Sequence, residues 1–256
     1  MQDLQISFDG ARGEIRAVKN ATFQLERGEF VALVGPSGCG KSTVLNAIAG
    51  LLPPTSGAVL INDEAVTEIN TEVGYLFQRD ALLPWRTVLR NVTLPLVARG
   101  QSKASAANQA AEWLEKVGLR GFENHYPHQL SGGMKKRASL AAVLAPRPKL
   151  LLMDEPFSAL DVQTRELMEN ELMALWIADR STVLFVTHDL EEAIGLSDRV
   201  VVMSARPSTI KGEYGVPLKR PRDLTTLKFD QQFVNVHRQI WDDLREESLI
   251  AYQQSQ

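Results

Sequence analysis

Four short apolar segments along the chain have the pattern of strands that are buried on both faces. Each contains four or five residues, is rich in Val and Leu, and lacks the apolar–polar alternation of a half-exposed strand. They are residues 30–34, 150–153, 182–186 and 200–203. This pattern predicts the strands of a parallel sheet.

Helical patterns lie between these segments. Residues 42–49 place Val44, Leu45 and Ile48 on one side, and Gly50 then provides a C-terminal stop signal. Apolar side chains repeat at helical spacing again between Leu167 and Trp176, before the third segment. The alternation of strand, loop, helix and strand predicts an α/β fold.

Two regions depart from this alternation. Residues 3–30 and 57–77 have the pattern of short strands with turns, which predicts an antiparallel β patch beside the main sheet. Residues 86–145 show no convincing strand but carry a helical stripe that includes Trp113 and Leu114, which predicts an inserted helical subdomain. The last part of the chain has the spacing of an amphipathic helix at Phe229, Phe233, Val236, Ile240 and Leu244.

We therefore predict two parts of the chain. Residues 1–205 are expected to form the main domain, with the helical subdomain at about residues 86–145. Residues 206–256 are expected to form a short C-terminal extension that carries the amphipathic helix.

Composition and charge are those of a globular protein with a substantial core. The 256 residues are 44% apolar and 23% charged, with a net charge of -3, which argues against the basic surface of a nucleic-acid-binding protein. No apolar run approaches the ~18 residues that a membrane-spanning helix needs. Any membrane association is therefore expected to depend on a partner.

Residues 35–43 read GPSGCGKST and match the phosphate-loop pattern G-x-x-x-x-G-K-[ST]. Its glycines permit backbone conformations that side chains would block, so that successive N–H groups can point at phosphate oxygens. Lys41 is expected to reach the β- and γ-phosphates of a nucleotide, Ser42 to bind Mg²⁺, and Thr43 to support the α-phosphate. Cys39 is interpreted as a spacer in this loop, because the chain has no second cysteine for a redox pair.

Two carboxylates, Asp154 and Glu155, directly follow the apolar segment 150–153. Ligands of parallel α/β sheets bind at this end of the strands. Asp154 is suited to hold Mg²⁺ through its water shell, and Glu155 to act as a general base on an attacking water. The alternative is that the pair begins a loop in which Glu155 caps the next helix, but the upstream phosphate loop favours the catalytic interpretation.

A second motif that is suited to phosphate binding occurs at residues 130–137, LSGGMKKR. Ser131 is a good N-cap, and Gly132 and Gly133 leave backbone N–H groups bare at a helix start. One nucleotide needs only one phosphate loop, so that the second motif requires an explanation.

With these motifs the chain resembles the ATP-binding subunits of ABC transporters, whose signature sequence is LSGGQ. The resemblance covers about residues 4–205, and the motifs follow the order of the family. It implies a P-loop NTPase (RecA-like) core that hydrolyses ATP with Mg²⁺. It also implies a head-to-tail homodimer in which each ATP lies between the phosphate loop of one copy and the signature of the other.

The resemblance assigns roles to further residues. Gln78 in LFQ matches the Q-loop, which links the metal site to the helical subdomain, and His188 in VTHD matches the switch histidine that senses the γ-phosphate. Residues 158–161, SALD, match the D-loop at the dimer interface. Phe8 fits the aromatic position that stacks on adenine, although an aromatic residue near a strand end is commonly a core residue.

The motifs together predict three sets of site residues. The catalytic set is Glu155, His188 and Gln78, and the metal ligands are Ser42, Gln78 and Asp154. The ATP-binding set is Phe8, Gly35, Pro36, Ser37, Gly38, Cys39, Gly40, Lys41, Ser42, Thr43, Ser131, Gly132 and Gly133.

The sequence departs from the family pattern at four positions. Met134 replaces the usual glutamine of the signature, Lys135 and Lys136 stand where Arg-Gln is common, and Ala142 occupies a position that is often Arg. These departures weaken any claim about salt bridges at the interface, but not the prediction of ATP binding.

Within the family, residues 77–96, 157–176 and 186–204 resemble the nitrate/sulfonate/taurine-type import ATPases. This likeness implies a membrane-spanning permease and a periplasmic or surface solute-binding protein as partners. It also implies a peripheral position on the cytoplasmic face of the inner membrane. A groove near residues 78–85 is expected to receive a short helix of the permease, and Trp85 either lines this groove or lies in the core.

Two other classes remain as alternatives. The ATPases of phospholipid-trafficking systems also carry the SGGMKKR stretch, but the LLPW segment and the C-terminal helix argue against them. ABC ATPases that act in translation or DNA repair usually carry two cassettes or a long coiled coil, whereas this sequence has one cassette, no heptad run and no basic face.

Overall fold

The computed structural model describes residues 1–10 and 13–254, and these form two compact units. The first unit combines Met1–Thr71 with the segment from Thr182 onward, and the second unit is Glu72–Ser181. The chain therefore leaves the first unit once and returns to it.

The strands and helices of the described residues are as follows, in chain order. The strands are β1 (Gln2–Gly10), β2 (Gly13–Ala21), β3 (Phe30–Val34), β4 (Ser56–Ala58), β5 (Leu60–Ile61), β6 (Glu64–Ala65), β7 (Val73–Leu76), β8 (Leu150–Asp154), β9 (Thr182–Val186), β10 (Arg199–Met203) and β11 (Ile210–Gly215). The helices are α1 (Lys41–Ile48), α2 (Val88–Ala98), α3 (Lys103–Lys116), α4 (Gly132–Leu144), α5 (Val162–Asp179), α6 (Leu190–Leu196), α7 (Leu224–Leu227) and α8 (Gln231–Gln254).

The first unit is built on a mostly parallel sheet whose strand order is β11, β10, β3, β9. The central strand β3 pairs in parallel with β10 on one side and with β9 on the other. Every residue of β3 is fully buried, as expected for a strand that is covered on both faces. The strands predicted at residues 30–34, 182–186 and 200–203 are thus confirmed.

An antiparallel sheet of order β2, β1, β4 belongs to the same unit, and β5 and β6 form a separate antiparallel pair. The predicted antiparallel patch is therefore present. Its predicted extent was wrong at the C-terminal end, because β7 pairs in parallel with β8. The four residues of β7 alternate between half-buried and buried positions, and such an alternation resembles that of a patch strand.

Helices dominate the second unit around the parallel pair of β7 and β8. The three helices α2, α3 and α4 pack on one another through buried side chains such as Val92, Leu114 and Leu140. Each helix starts at a residue whose side-chain oxygen accepts a hydrogen bond from a backbone N–H of the first turn. These N-caps are Thr87, Ser102 and Ser131.

The chain after residue 205 contains more regular structure than its sequence pattern indicates. Strand β11 pairs antiparallel with β10, although its sequence, IKGEYG, is too polar and too rich in glycine to show a strand signal. Helix α8 buries Phe233, Val236, Ile240 and Leu244. Phe229 was predicted to lie on this helix, but it precedes the helix and is 80% exposed.

Helix α8 is held to the rest of the first unit by a buried carboxylate, Glu247. One oxygen of Glu247 accepts the backbone N–H of Ala205 at 2.8 Å, and the other lies 3.0 Å from the Lys211 ammonium. We expect Glu247→Ala to lower the free energy of unfolding by about 1–3 kcal/mol, since the buried N–H loses its acceptor. Urea titration measures this loss.

Glu246→Ala provides the matched control, because Glu246 also contacts Lys211, at 2.8 Å, but its side chain is 62% exposed. An exposed pair of this kind contributes about 0–1 kcal/mol. Equal losses from the two substitutions would contradict the role of Glu247 as the buried anchor.

Among the described residues, the helices are all too short or too polar to span a membrane.

Candidate functional site

The phosphate loop connects β3 to α1 in the first unit. Gly38 and Gly40 have φ angles of 75° and 111°, a region that residues with side chains rarely adopt. Gly40 is the N-cap of α1 and provides no side-chain cap, and the first turn of α1 holds no acidic residue. The positive end of the helix dipole therefore faces the loop without a competing carboxylate, which fits the binding of a phosphate group.

Lys41 lies at the start of α1 and is only 6% exposed. Its ammonium donates hydrogen bonds to the carbonyl oxygens of Gly35 at 2.9 Å and Pro36 at 3.1 Å. An ammonium has three N–H donors. The two bonds to the loop thus fix the direction of the side chain and leave a donor for a phosphate oxygen.

Cys39 fills the inside of the same loop. The thiol is buried, and a Cβ atom on Gly35 would lie only 2.9 Å from Sγ of Cys39. Burial raises the pKa of the Cys39 thiol, and the opposing charges of Lys41 and Arg206 do not outweigh this effect. The neutral, packed side chain fits the interpretation of Cys39 as a spacer.

The glycine at position 40 provides a direct test of the loop geometry. A Cβ atom there would lie 3.2 Å from Cγ2 of Val18, and φ would remain at 111°. We expect Gly40→Ala to weaken ATP binding about tenfold or more, since a loop distortion worth 1.4 kcal/mol already has this effect. Isothermal titration with ATP measures the change.

Gly100→Ala is the matched control for this substitution. Gly100 also has a positive φ, 88°, but a Cβ atom there would meet nothing within 4 Å. It should carry a similar backbone penalty and leave ATP affinity unchanged. A Gly40→Ala variant with unaltered affinity would show that the loop does not bind the phosphates.

His188 lies at the same edge of the sheet as the phosphate loop. Leu33 of β3 pairs with Val186 of β9. Gly35 comes two residues after Leu33 and His188 two residues after Val186, so that both lie beyond the same end of these parallel strands. The turn at His188 is fixed by Thr187, whose buried hydroxyl donates to Glu192 at 2.5 Å. His188 itself is exposed, and its side chain is therefore accessible to a ligand at this edge.

Phe8 lies on β1 opposite Ile15 of β2. The two side chains are 41% and 49% exposed. Phe8 is therefore not a core residue, and its ring is open for stacking. Stacking on adenine stays a prediction.

In the second unit, Asp154 ends β8 and Glu155 follows it with φ at 43°. A residue with a side chain is rarely found in this left-handed region, and holding it there costs about 1–3 kcal/mol. Ser158 stabilises the turn, because its N–H donates to the Glu155 carbonyl at 3.3 Å and its hydroxyl donates to the same oxygen at 3.0 Å. The sequence assigned Ser158 only to the D-loop. Its role in stabilising the turn at Glu155 cannot be read from the SALD motif.

Gln78 and Glu155 are in contact. The Gln78 amide nitrogen donates a hydrogen bond to Oε2 of Glu155 at 3.2 Å. This bond uses the nitrogen of the amide, so that its oxygen keeps its capacity as a ligand for a hard cation. Burial, and then the negative charge of Asp154, raise the pKa of Tyr75, which lies on β7 three residues before Gln78.

The predicted metal ligands are a hydroxyl, an amide oxygen and a carboxylate, from Ser42, Gln78 and Asp154. These are oxygen donors of the kind that Mg²⁺ prefers. The residues present therefore fit the metal ion that the motifs predict.

The signature residues form the start of α4. Oγ of Ser131 accepts the N–H of Met134 at 3.3 Å, and its hydroxyl proton can still be donated to an anion. Ser131 and Gly132 are exposed, and a Cβ atom on Gly132 would meet nothing within 4 Å. The first turn of α4 has no acidic residue. This helix start is thus open and suited to a phosphate oxygen.

Asp161, in the D-loop, and Trp85, which follows the Q-loop, both lie in the second unit. Asp161 is the N-cap of α5. Its carboxylate accepts a hydrogen bond from the backbone N–H of Thr164 at 3.0 Å, and this bond lowers the pKa of the Asp161 carboxyl. Trp85 is 70% exposed, which excludes the alternative that it lies in the core. The structure thus groups the phosphate loop, Phe8 and His188 in one unit, and the remaining predicted site residues in the other.

Comparison with known proteins identifies relatives of this arrangement. The family model for ABC transporters matches residues 18–158. The nitrate import ATP-binding protein NrtD of Synechocystis sp. is 46% identical over 226 residues, which are 88% of this chain and 84% of that protein. The aliphatic sulfonates import ATP-binding protein SsuB of Bacillus thuringiensis is 40% identical, over 91% of each chain. The taurine import ATP-binding protein TauB of Pelagibacter ubique is 41% identical, over 93% of this chain and 92% of that protein.

A solved structure supports the same grouping. The dimeric structure of a post-hydrolysis state of the ATP-binding cassette MJ0796, bound to ADP and Pi, superposes with a TM-score of 0.76 and 33% sequence identity. The superposition covers 85% of this chain and 98% of that cassette. The predicted fold class, an α/β P-loop NTPase with an antiparallel β patch and a helical insertion, is confirmed.

Proposed function

Because the chain belongs to the ABC transporter family, in which it is an ATP-binding subunit and an ATPase, we propose that it drives an importer. The proposed solute is a small anion such as nitrate, a sulfonate or taurine, or a related small solute. The observation that carries this proposal is the identity of 40–46% with three import ATP-binding proteins, whose names give these solutes.

The nucleotide would bind first to the elements of the first unit. The N–H groups of the phosphate loop and the Lys41 ammonium would hold its phosphates, and the exposed ring of Phe8 would stack on the adenine. The uncapped start of α1 and the inward-directed Lys41 support this assignment. Ser42, Gln78 and Asp154 would hold Mg²⁺, which would supply positive charge to offset the negative charge of the phosphates.

Hydrolysis would depend on Glu155. The carboxylate would accept a proton from a water molecule as the water oxygen bonds to the γ-phosphorus, while the bond from that phosphorus to the β–γ bridging oxygen breaks and ADP leaves. Gln78 would orient the carboxylate through the hydrogen bond of 3.2 Å, and His188 would contact the γ-phosphate. The strained backbone at Glu155 supports a functional role for this residue.

We further propose that the active assembly is a head-to-tail homodimer. Each phosphate loop would face Ser131, Gly132 and Gly133 of the partner copy, because Ser131 and Gly132 are exposed at the start of α4. The superposition on a cassette that is described as dimeric supports this arrangement.

The proposed partners in the membrane are permease subunits, with a periplasmic or surface solute-binding protein on the opposite side. The chain would then lie peripherally on the cytoplasmic face of the inner membrane. Residues 78–85 would contact the permease, and the exposed Trp85 supports this position. The proposed domain division is residues 1–205, with a helical subdomain at about 86–145, and a C-terminal extension at 206–256.

Copurification tests the importer class. The tagged chain, expressed at its natural level, should copurify with a membrane-spanning permease, and that permease should stimulate its ATPase activity. A deletion strain should lose growth on nitrate, a sulfonate or taurine as the single nitrogen or sulfur source. Copurification with the permease of a phospholipid-trafficking system, with normal growth on all these sources, would contradict the proposal.

A further inference from the structure

A buried lysine in the second unit has no part in the mechanism described above. Lys136 lies on α4, five residues after Ser131, and is only 4% exposed. Lysine is almost never buried to this extent unless it is paired. Burial lowers the pKa of the Lys136 ammonium, and the negative charge of Asp80 opposes this shift.

The ammonium of Lys136 has three acceptors around it. It donates to the carbonyl oxygens of Phe77 and Gln78, both at 3.3 Å, and it lies 3.7 Å from Oδ1 of Asp80. An ammonium has three donors and one positive charge, so that two carbonyls and a carboxylate match its requirements. The common family residue at this position, glutamine, offers only two donors and no charge.

All three acceptors belong to one short segment, residues 77–80, which directly follows β7. The side chain of Gln78 in this segment donates to Glu155. Lys136 therefore contacts the backbone of the residue whose side chain contacts the proposed general base. The same helix, α4, begins at the proposed binding residues for the partner's nucleotide.

We propose that Lys136 is a positioning residue, which fastens segment 77–80 to α4 and thereby makes the placement of Gln78 against Glu155 depend on the position of α4. The inference rests on the proposed function, since it takes Glu155 as the general base and Ser131 as a contact of the partner's nucleotide. Occupation of one nucleotide site would then influence hydrolysis at the other through Lys136.

This role differs from that of a buried ion pair which only stabilises the fold. A stabilising pair affects the free energy of unfolding, and its loss leaves the kinetic constants of the folded molecules unchanged. A positioning residue affects kcat with little change in ATP affinity, because the phosphate loop in the first unit is intact. Loss of coupling through a network of this kind is expected to reduce kcat by about 3- to 30-fold.

The test uses the full chain with Lys136→Met and, separately, Asp80→Asn. Steady-state ATPase assays give kcat, KM for ATP and the Hill coefficient, and thermal melting gives the folded fraction at the assay temperature. Both variants should lower kcat by about 3- to 30-fold and move the Hill coefficient toward one, with KM within about twofold of the original chain. The double variant should be no slower than the slower single variant, because the two residues act through one contact.

Two further variants serve as controls. Lys103→Met removes the same charge from an exposed position of α3 in the same unit and should leave kcat and the Hill coefficient unchanged. Lys136→Arg retains donors and charge and should recover a large part of kcat. If Lys136→Met fails to fold, Asp80→Asn still tests the proposal. The Asp80 side chain is 31% exposed, so that its substitution should not prevent folding.

The possible outcomes separate this inference from the proposed function. An original chain without ATPase activity at any protein concentration would contradict the proposed function. An original chain with cooperative activity that Asp80→Asn and folded Lys136→Met both retain would overturn the role of Lys136 alone. A rise in KM that accounts for the whole loss of activity would overturn it as well, since it would place the effect in nucleotide binding.

Discussion

Glu155→Gln is expected to slow ATP hydrolysis about 10²- to 10⁴-fold, the range that a general base commonly contributes. The amide is isosteric with the carboxylate but cannot accept the proton of the attacking water. Its oxygen can still accept the hydrogen bond from Gln78, which is 3.2 Å long in the original chain. ATP binding should therefore remain within about twofold. Phosphate release at saturating ATP measures the rate, and titration with ATP measures the affinity.

Glu112→Gln is the control for the loss of a carboxylate in the same unit, because Glu112 is exposed on α3 and has no proposed role. It should hydrolyse ATP at the original rate. A Glu155→Gln variant that retained more than about a tenth of the original kcat would exclude Glu155 as the general base, because that loss is below the range for such a residue.

Ser131→Asp is expected to lower ATP hydrolysis about 10²-fold or more, since it places a negative charge where the partner's γ-phosphate is proposed to bind. Two unit charges 4 Å apart interact with about 4 kcal/mol at the effective dielectric of a protein surface. Aspartate is also a good N-cap, so that α4 should keep its stability. ATP binding to the isolated chain should persist, because the phosphate loop belongs to the first unit.

Ser102→Asp makes the same substitution at an equivalent cap. Ser102 is the N-cap of α3 and accepts the N–H of Ser105 at 3.3 Å, as Ser131 accepts that of Met134. The Ser102 variant should retain full ATPase activity. If Ser131→Asp retained it too, the start of α4 would not be a phosphate site.

Much of the fold was predictable from local pattern, because buried parallel strands and capped helices have strong signals. The continuous apolar run of β3 and the stop of α1 at Gly50 are examples. β7 was assigned to the wrong sheet, since its pairing with β8 joins residues that are more than seventy positions apart and such pairing leaves no local mark. β11 was missed because a polar edge strand has no apolar pattern.

The candidate site was predictable to the extent that spacing along the chain defines it. The phosphate loop, the signature and the acidic pair are each contiguous, and their residue types follow from phosphate and metal chemistry. The φ of 43° at Glu155 and the support from Ser158 depend on the turn after β8, which the motif does not record. Lys136 was noted in the sequence only as a departure, because its acceptors at residues 77–80 come close to it only in the folded chain.

The central claim is that two copies of this chain share each ATPase site. Dilution tests it most directly: ATPase activity per mole of chain is measured at saturating ATP and Mg²⁺ over a wide range of protein concentration, with sedimentation velocity on the same samples. Activity per mole should fall toward zero as the dimer dissociates, while ATP still binds to the monomer. A constant activity per mole in samples that sediment entirely as monomer would contradict the shared site.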